Sequence, residues 1–93
     1  GLPTHPQHAL AVRQMTHFGP VLTFDLKTME RAERFCAHLE RITVATSFGG
    51  TDTTLERRAR WGGDNVSPGL IRMSVGLEEP RALLTEIRRA LSA

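Results

Sequence analysis

One stretch of the sequence constrains the fold more than any other: positions 69–80 read G-L-I-R-M-S-V-G-L-E-E-P. Its first part predicts a strand over 70–76, and Pro80 is typical of the first position of a helix that follows directly. Because successive side chains of a strand point to opposite faces, one face is apolar and consists of Ile71, Met73 and Val75. The opposite face carries Leu70, Arg72, Ser74 and Gly76.

Arg72 stands at the centre of this strand, on the face that does not point to the core. Burying an unpaired guanidinium would cost several kcal/mol, so this side chain requires either a paired anion or open water. The sequence leaves two interpretations open, which are an ion pair with a neighbouring acidic side chain and a binding site for an anionic ligand. Arg72 is therefore the first candidate functional residue.

The remaining periodicity predicts helices and strands on both sides of this stretch. The expected order is a helix over 7–15, a strand over 21–26, a helix to Arg41 with Thr28 as N-cap, a strand over 42–46, a short helix and the final helix from Pro80. The short helix is expected because Thr53 and Glu56 have the spacing of a capping box, and it would run to about Trp61. Such an order predicts an α+β fold with helices on one face of a small open sheet. The uncovered face, with Arg72, would be free to contact a ligand or a partner.

Composition excludes several classes of protein. The 93 residues suffice for one small domain, and no apolar run approaches the roughly 20 residues that span a bilayer. We therefore expect a cytoplasmic protein with no membrane partner. The twelve basic residues are interspersed with ten acidic ones, and the basic run at 57–60 has Trp61 as its one aromatic neighbour, which argues against a nucleic-acid interface.

Cysteine and histidine give no sign of a metal site. Cys36 is the single cysteine, so no intrachain disulfide can form, and its place in an apolar stripe is typical of a small core residue. The four histidines lack the H-x-x-x-H spacing with a third ligand that zinc sites use. They are His5, His8, His17 and His38. We expect no bound metal.

Three stretches together resemble the C-terminal domain of the Cys/Met-metabolism family of pyridoxal-phosphate (PLP) enzymes. They are G-L-P-T-H-P-Q-H with the following R-Q-M at the N-terminus, S-F-G-G at 47–50, and the stretch at 69–80. The family includes cystathionine γ-lyase, γ-synthase and β-lyase and methionine γ-lyase. The resemblance runs essentially from end to end. It implies the small domain of fold-type I enzymes, an open sheet of about three to four mainly antiparallel strands with helices on one face.

The resemblance implies roles for three residues. The position of Arg72 binds the α-carboxylate of the amino-acid substrate in this family, and a planar guanidinium suits that task because it can donate to both carboxylate oxygens. The position of Ser47 lies beside the cofactor lysine and the same carboxylate, although a serine there could also simply terminate a strand. The position of Thr46 varies with reaction specificity. Arg72 is thus indicated both by its strand position and by the resemblance.

Two departures from the family pattern leave the reaction open. The family commonly has S-L-G-G-x-E-S-L where this chain has S-F-G-G-T-D-T-T, and its P-x-x-M-T-H segment is replaced by E-R-R-A-R-W-G-G-D. The T-S-F-G-G and E-R-R-A-R-W-G wording of this chain is similar to a lyase-like branch found in actinobacterial sequences. A carbon–sulfur lyase is therefore favoured over γ-synthase chemistry without being decided.

PLP chemistry requires a lysine that forms a Schiff base with the cofactor, together with a phosphate-binding loop. Lys27 is the sole lysine and lacks the motif that surrounds the cofactor lysine of the family, so we expect neither cofactor-binding nor catalytic residues in the chain. The resemblance implies a longer homo-oligomeric enzyme in which residues 1–93 form one C-terminal domain, inactive without its PLP-binding domain. The alternative is a free-standing ferredoxin-like module for binding or self-association.

Overall fold

The computed structural model describes residues 1–63 and 65–93. Its elements in chain order are α1 (His8–Gln14), β1 (Val21–Asp25), α2 (Met29–Ala37), β2 (Thr43–Val44), β3 (Thr54–Arg57), a 3₁₀ helix (Arg58–Trp61), β4 (Leu70–Ser74) and α3 (Pro80–Ser92). No helix in these described ranges is long and apolar enough to cross a membrane.

The four strands form one open sheet in the order β1-β4-β3-β2. Strand β4 is antiparallel to both β1 and β3, whereas β2 and β3 are parallel. The predicted α+β fold with a small, mainly antiparallel sheet is therefore confirmed. Because β4 has a neighbour on each side, the centre of the 69–80 stretch lies in the middle of the sheet.

The core lies on one face of this sheet, against α2 and α3. Its buried apolar residues are Leu26, Ala32, Phe35, Ile42, Leu55, Ile71, Met73, Leu83 and Ala90. The predicted N-cap of α2 is confirmed, since Thr28 Oγ1 accepts the N–H of Arg31 at 3.2 Å. Helix α3 begins at Pro80 as predicted, and Glu79 accepts the N–H of Ala82 at 2.9 Å. Helix α1 buries none of its residues.

The predicted short helix that begins at Thr53 is wrong, because residues 54–57 form strand β3 and only the following turn is a 3₁₀ helix. The capping box does not form: the N–H of Thr53 donates to Glu78 at 2.7 Å. Leu55 is buried in the core at 1% exposure, and β3 pairs with β2 and β4 on its two sides. Pairing with residues distant in sequence therefore outweighs the local capping pattern.

Helix α2 and strand β2 are shortened most relative to the prediction, and the strand predicted over 70–76 ends at Ser74. Helix α2 ends at Ala37 and β2 comprises only Thr43–Val44. The N–H groups of the intervening residues 40–42 donate to the carboxylate of Glu86 on α3, which diverts the chain from helical hydrogen bonding. A carboxylate on another helix thus sets the boundary between α2 and β2.

Candidate functional site

The candidate site is built around the guanidinium of Arg72. Strand β4 places this residue in the middle of the sheet, directly opposite Glu56 on β3 and Thr23 on β1. Its Nη2 donates to Glu56 Oε1 and to the backbone carbonyl of Thr46, both at 2.6 Å. The side chain is 22% exposed. Arg72 therefore has an anionic partner within the chain and still reaches solvent.

Glu56 is the most buried charged group of the site, with a side chain that is 2% exposed. Its Oε1 also accepts from Arg58 Nη1 at 2.6 Å, and its Oε2 accepts from the indole N–H of Trp61 at 2.9 Å. Burial raises the pKa of Glu56, but the hydrogen bonds from Arg58 and Trp61 and the charge of Arg72 outweigh burial and place that pKa below 4.5. The carboxylate is therefore ionised at neutral pH.

The guanidinium of Arg72 also lies over an aromatic ring. Its Cζ lies 5.1 Å from the centroid of Phe48, a distance typical of a cation–π contact. Phe48 itself is 65% exposed. Nε and Nη1 of Arg72 make no hydrogen bond to residues 1–63 or 65–93. The guanidinium is therefore held by two hydrogen bonds of Nη2 and by the ring of Phe48, and the described residues leave Nε and Nη1 without an acceptor.

The segment 46–49 is fastened to the sheet at three points. Besides the Thr46 carbonyl bonded to Arg72, the carbonyl of Ser47 accepts from Thr54 Oγ1 at 2.8 Å, and the N–H of Gly49 donates to Ser74 Oγ at 2.8 Å. Gly49 has φ of +83°, a conformation that glycine adopts without strain. The structure thus brings Thr46 and Ser47 next to Arg72. Thr46 contributes its backbone carbonyl there, and Ser47 has an exposed side chain.

A cavity of about 290 Å³ lies beside this cluster. Its lining residues are Val44, Ala45, Thr46, Glu56, Arg60 and Trp61. A second cavity, of about 280 Å³, includes Ser47 and Phe48 in its lining. The segment 46–48 therefore contributes to the lining of both cavities, Thr46 to the first and Ser47 to the second.

Sequence reasoning missed Glu56 and Phe48 as members of the site. It assigned Glu56 to a helix cap, and it noted Phe48 only as a departure from a family pattern. The alternation T-L-E-R at 54–57, with Leu55 apolar, is compatible with a strand. Interpreted as a strand beside β4, it would have placed an acidic side chain across from Arg72, where opposite charges stabilise a sheet.

The described residues do not fit PLP by themselves. Lys27 has a side chain that is 74% exposed, and its Nζ lies 3.7 Å from Asp25 Oδ2. Its backbone packs against Gly69 at the start of β4, whereas the segment 46–49 contacts Ser74 at the opposite end of that strand.

Throughout the described ranges, no group of three or more His, Cys, Asp or Glu side chains could hold a metal ion.

Comparison with known proteins gives consistent matches along the whole chain. A model for the family described as Cys/Met metabolism PLP-dependent enzyme matches residues 1–92. A Streptomyces coelicolor protein provisionally named cystathionine gamma-lyase is 50% identical over 91 residues, which cover 98% of this chain and 23% of that protein. The L-methionine gamma-lyase of Pseudomonas deceptionensis is 39% identical over 107 residues, which cover 100% of this chain and 26% of that enzyme.

A solved structure agrees with these sequence matches. The crystal structure of metB from Corynebacterium glutamicum superposes with a TM-score of 0.90 at 33% identity, over 99% of this chain and 26% of that one. The present chain therefore spans about a quarter of the length of the relatives that it matches.

Proposed function

This chain belongs to the Cys/Met metabolism family of PLP-dependent enzymes, and from that premise we propose that it is the part of such an enzyme that binds the α-carboxylate of an amino-acid substrate. Arg72 is the binding residue in this proposal, and Thr46 and Ser47 line its approach. The family membership expected from the three sequence stretches is confirmed.

The observation that carries the proposal is that the Arg72 guanidinium is held in one orientation while some of its N–H groups have no hydrogen-bond acceptor among the described residues. Nη2 is occupied by Glu56 and by the Thr46 carbonyl, while Nε and Nη1 remain without partners among the described residues. A charge-assisted pair with a carboxylate is about twice as strong as a neutral hydrogen bond. An amino-acid carboxylate that approaches along the segment 46–48 would therefore meet oriented, unused donors.

A two-point contact with one carboxylate uses Nη2 together with either Nε or Nη1, because the Cδ atom of the side chain blocks the edge between Nε and Nη1. We therefore infer that the substrate takes over the position of the Thr46 carbonyl, which is a neutral acceptor in an exposed segment. The bond to Glu56 involves opposite charges and a buried carboxylate, so it would persist.

The reaction follows from the family and is part of the proposal. The complete enzyme would act in the cytoplasm, as a homo-oligomer, on sulfur amino acids by elimination or replacement at the β or γ carbon, with lyase chemistry favoured. PLP would supply stabilisation of negative charge on the substrate carbon. In this proposal residues 1–93 are the C-terminal domain, the lysine that holds the cofactor lies on another part of a longer protein, and the chain is inactive alone.

Arg72→Ala in the full-length protein tests the proposal. The KM for the amino-acid substrate should rise about 10-fold or more, which corresponds to about 1.4 kcal/mol of lost binding. Arg89→Ala is the matched control, because Arg89 is half-exposed and pairs with Glu40 on the surface at 3.1 Å. An unchanged KM in the Arg72 variant would refute carboxylate binding by this residue.

A further inference from the structure

We propose that Glu56 is a positioning residue, a buried carboxylate that fixes the guanidinium of Arg72 in the orientation that the substrate carboxylate requires. This inference rests on the proposed function, because it assigns a role to Glu56 only if Arg72 binds the substrate. Glu56 would not touch the substrate. It would act by keeping one nitrogen of Arg72 in place while the remaining donors point outward.

The geometry around Glu56 is that of a fixed support. Both oxygens are used: Oε1 accepts from Arg72 and Arg58, each at 2.6 Å, and Oε2 accepts from Trp61 at 2.9 Å. A buried carboxylate costs free energy unless it is paired and hydrogen-bonded, and these three donors meet that requirement. Since Arg58 and Trp61 both belong to the 3₁₀ helix, the same carboxylate also anchors the turn after β3.

Positioning matters here because a free arginine side chain has several rotatable bonds. Fixing such a side chain costs rotamer entropy, and the ligand's binding free energy must offset that cost if the protein has not already fixed the side chain. In this structure the fixing is done before any ligand arrives, by Glu56, by the Thr46 carbonyl and by the ring of Phe48. Of these three contacts, only that with Glu56 is both charged and buried.

Glutamine is the informative replacement for Glu56, because it preserves size and removes charge. Its amide replaces one acceptor oxygen by an NH₂ donor, which would then face either the indole N–H of Trp61 or the guanidinium groups. One donor would be left without an acceptor in a buried position. The Arg72 side chain would lose its ionic partner and would be oriented only by its weaker contacts with the Thr46 carbonyl and the ring of Phe48.

The test uses the full-length enzyme and two unreactive probes, L-norleucine and L-norleucinamide, which differ only in whether they carry a carboxylate. The inhibition constant of L-norleucinamide divided by that of L-norleucine measures how strongly the site prefers the carboxylate. We expect Glu56→Gln to reduce this ratio about fivefold or more, about 1 kcal/mol, and to change kcat less than about twofold. Combined with Arg72→Ala, it should cause no further reduction, since the two residues act through one contact.

Glu33→Gln is the matched control, because Glu33 accepts from Arg57 Nε at 2.7 Å and is not in contact with Arg72. It should leave the inhibition ratio at the wild-type value. A general loss of structure would weaken both probes equally and leave the ratio unchanged, so the ratio separates positioning from stability.

Each outcome has a separate meaning. If Arg72→Ala retains the wild-type ratio, the proposed function itself fails. If Arg72→Ala lowers the ratio while Glu56→Gln leaves it unchanged or raises it, the positioning role is overturned. A raised ratio in Glu56→Gln would mean that Glu56 competes with the substrate carboxylate for Arg72. Should Glu56→Gln not fold, Glu56→Asp decides: its carboxylate is one methylene shorter and cannot hold the Arg72 guanidinium where Glu56 holds it, so a wild-type ratio in this variant overturns the proposal.

Discussion

Thr53 holds both carboxylate oxygens of Glu78. The backbone N–H of Thr53 donates to Oε2 and its hydroxyl donates to Oε1, each at 2.7 Å. The same hydroxyl accepts the N–H of Gly76 at 2.9 Å. This cluster joins the start of β3 to the chain that leaves β4, so it fixes the two strands that carry Glu56 and Arg72 relative to each other.

Thr53→Val should therefore destabilise the chain although valine has the same shape. Thr53 is 1% exposed, so the variant leaves buried polar groups without their hydroxyl partner. We expect the melting temperature to fall by roughly 5–10 °C for a domain of this size. Thr85→Val, at an exposed position of α3, is the matched control and should melt within about 2 °C of wild type. Equal melting temperatures for the two variants would contradict the role of this cluster.

The carboxylate of Glu86 makes stability depend on pH. Its Oε1 accepts the N–H groups of Glu40, Arg41 and Ile42 at 2.7, 2.7 and 3.1 Å. Burial raises the pKa of Glu86, but these three hydrogen bonds lower it by more than burial raises it, so the pKa lies below 4.5. A carboxyl whose pKa is lower in the folded state stabilises the fold above its unfolded pKa and loses that contribution as pH falls through the folded pKa.

The contribution of Glu86 to stability should accordingly be fully present above its unfolded pKa of 4.5 and be lost as the pH falls below it. Glu86→Gln should cost about 1–3 kcal/mol at neutral pH and flatten the acid limb of the profile, measured by urea unfolding at each pH. Glu40→Gln is the control, because Glu40 is exposed and its surface pair with Arg89 contributes little. An unchanged acid limb in the Glu86 variant would show that other carboxyls set it.

The glycine that follows β4 is required by close backbone packing. A Cβ at Gly76 would lie 2.2 Å from the carbonyl oxygen of Thr51 and 2.6 Å from the carbonyl carbon of Asp52. Gly76→Ala should therefore cost about 1–3 kcal/mol of unfolding free energy, measured by urea unfolding. Gly63→Ala serves as the control, because a Cβ there meets nothing within 4 Å and the backbone has no positive φ. A neutral Gly76→Ala variant would contradict the packing at this turn.

The sequence predicted those parts of the fold that depend on local patterns. Alternation identified the core face of β4, with Ile71 and Met73 buried, and capping identified the start of α2 at Thr28. It failed at Thr53, where the capping-box spacing is real but the N–H finds a partner 25 residues away. Glu56 was missed for the same reason: its importance comes from standing opposite Arg72, and strand pairing between distant segments cannot be deduced from local periodicity.

The final prediction concerns the cofactor, since the single lysine of the chain is the one amine that PLP could use on a side chain. Lys27 is exposed, pairs with Asp25 and lies at the far end of β4 from the segment 46–49. The test mixes the 93-residue chain with equimolar PLP, reduces the mixture with borohydride and measures the adduct at Lys27 by peptide mass spectrometry. We expect no more adduct at Lys27 than at an exposed lysine of an unrelated protein treated in the same way. A stoichiometric adduct at Lys27 that Arg72→Ala abolishes would mean that the chain holds the cofactor itself, and the assignment of the cofactor lysine to another part of a longer protein would then be wrong.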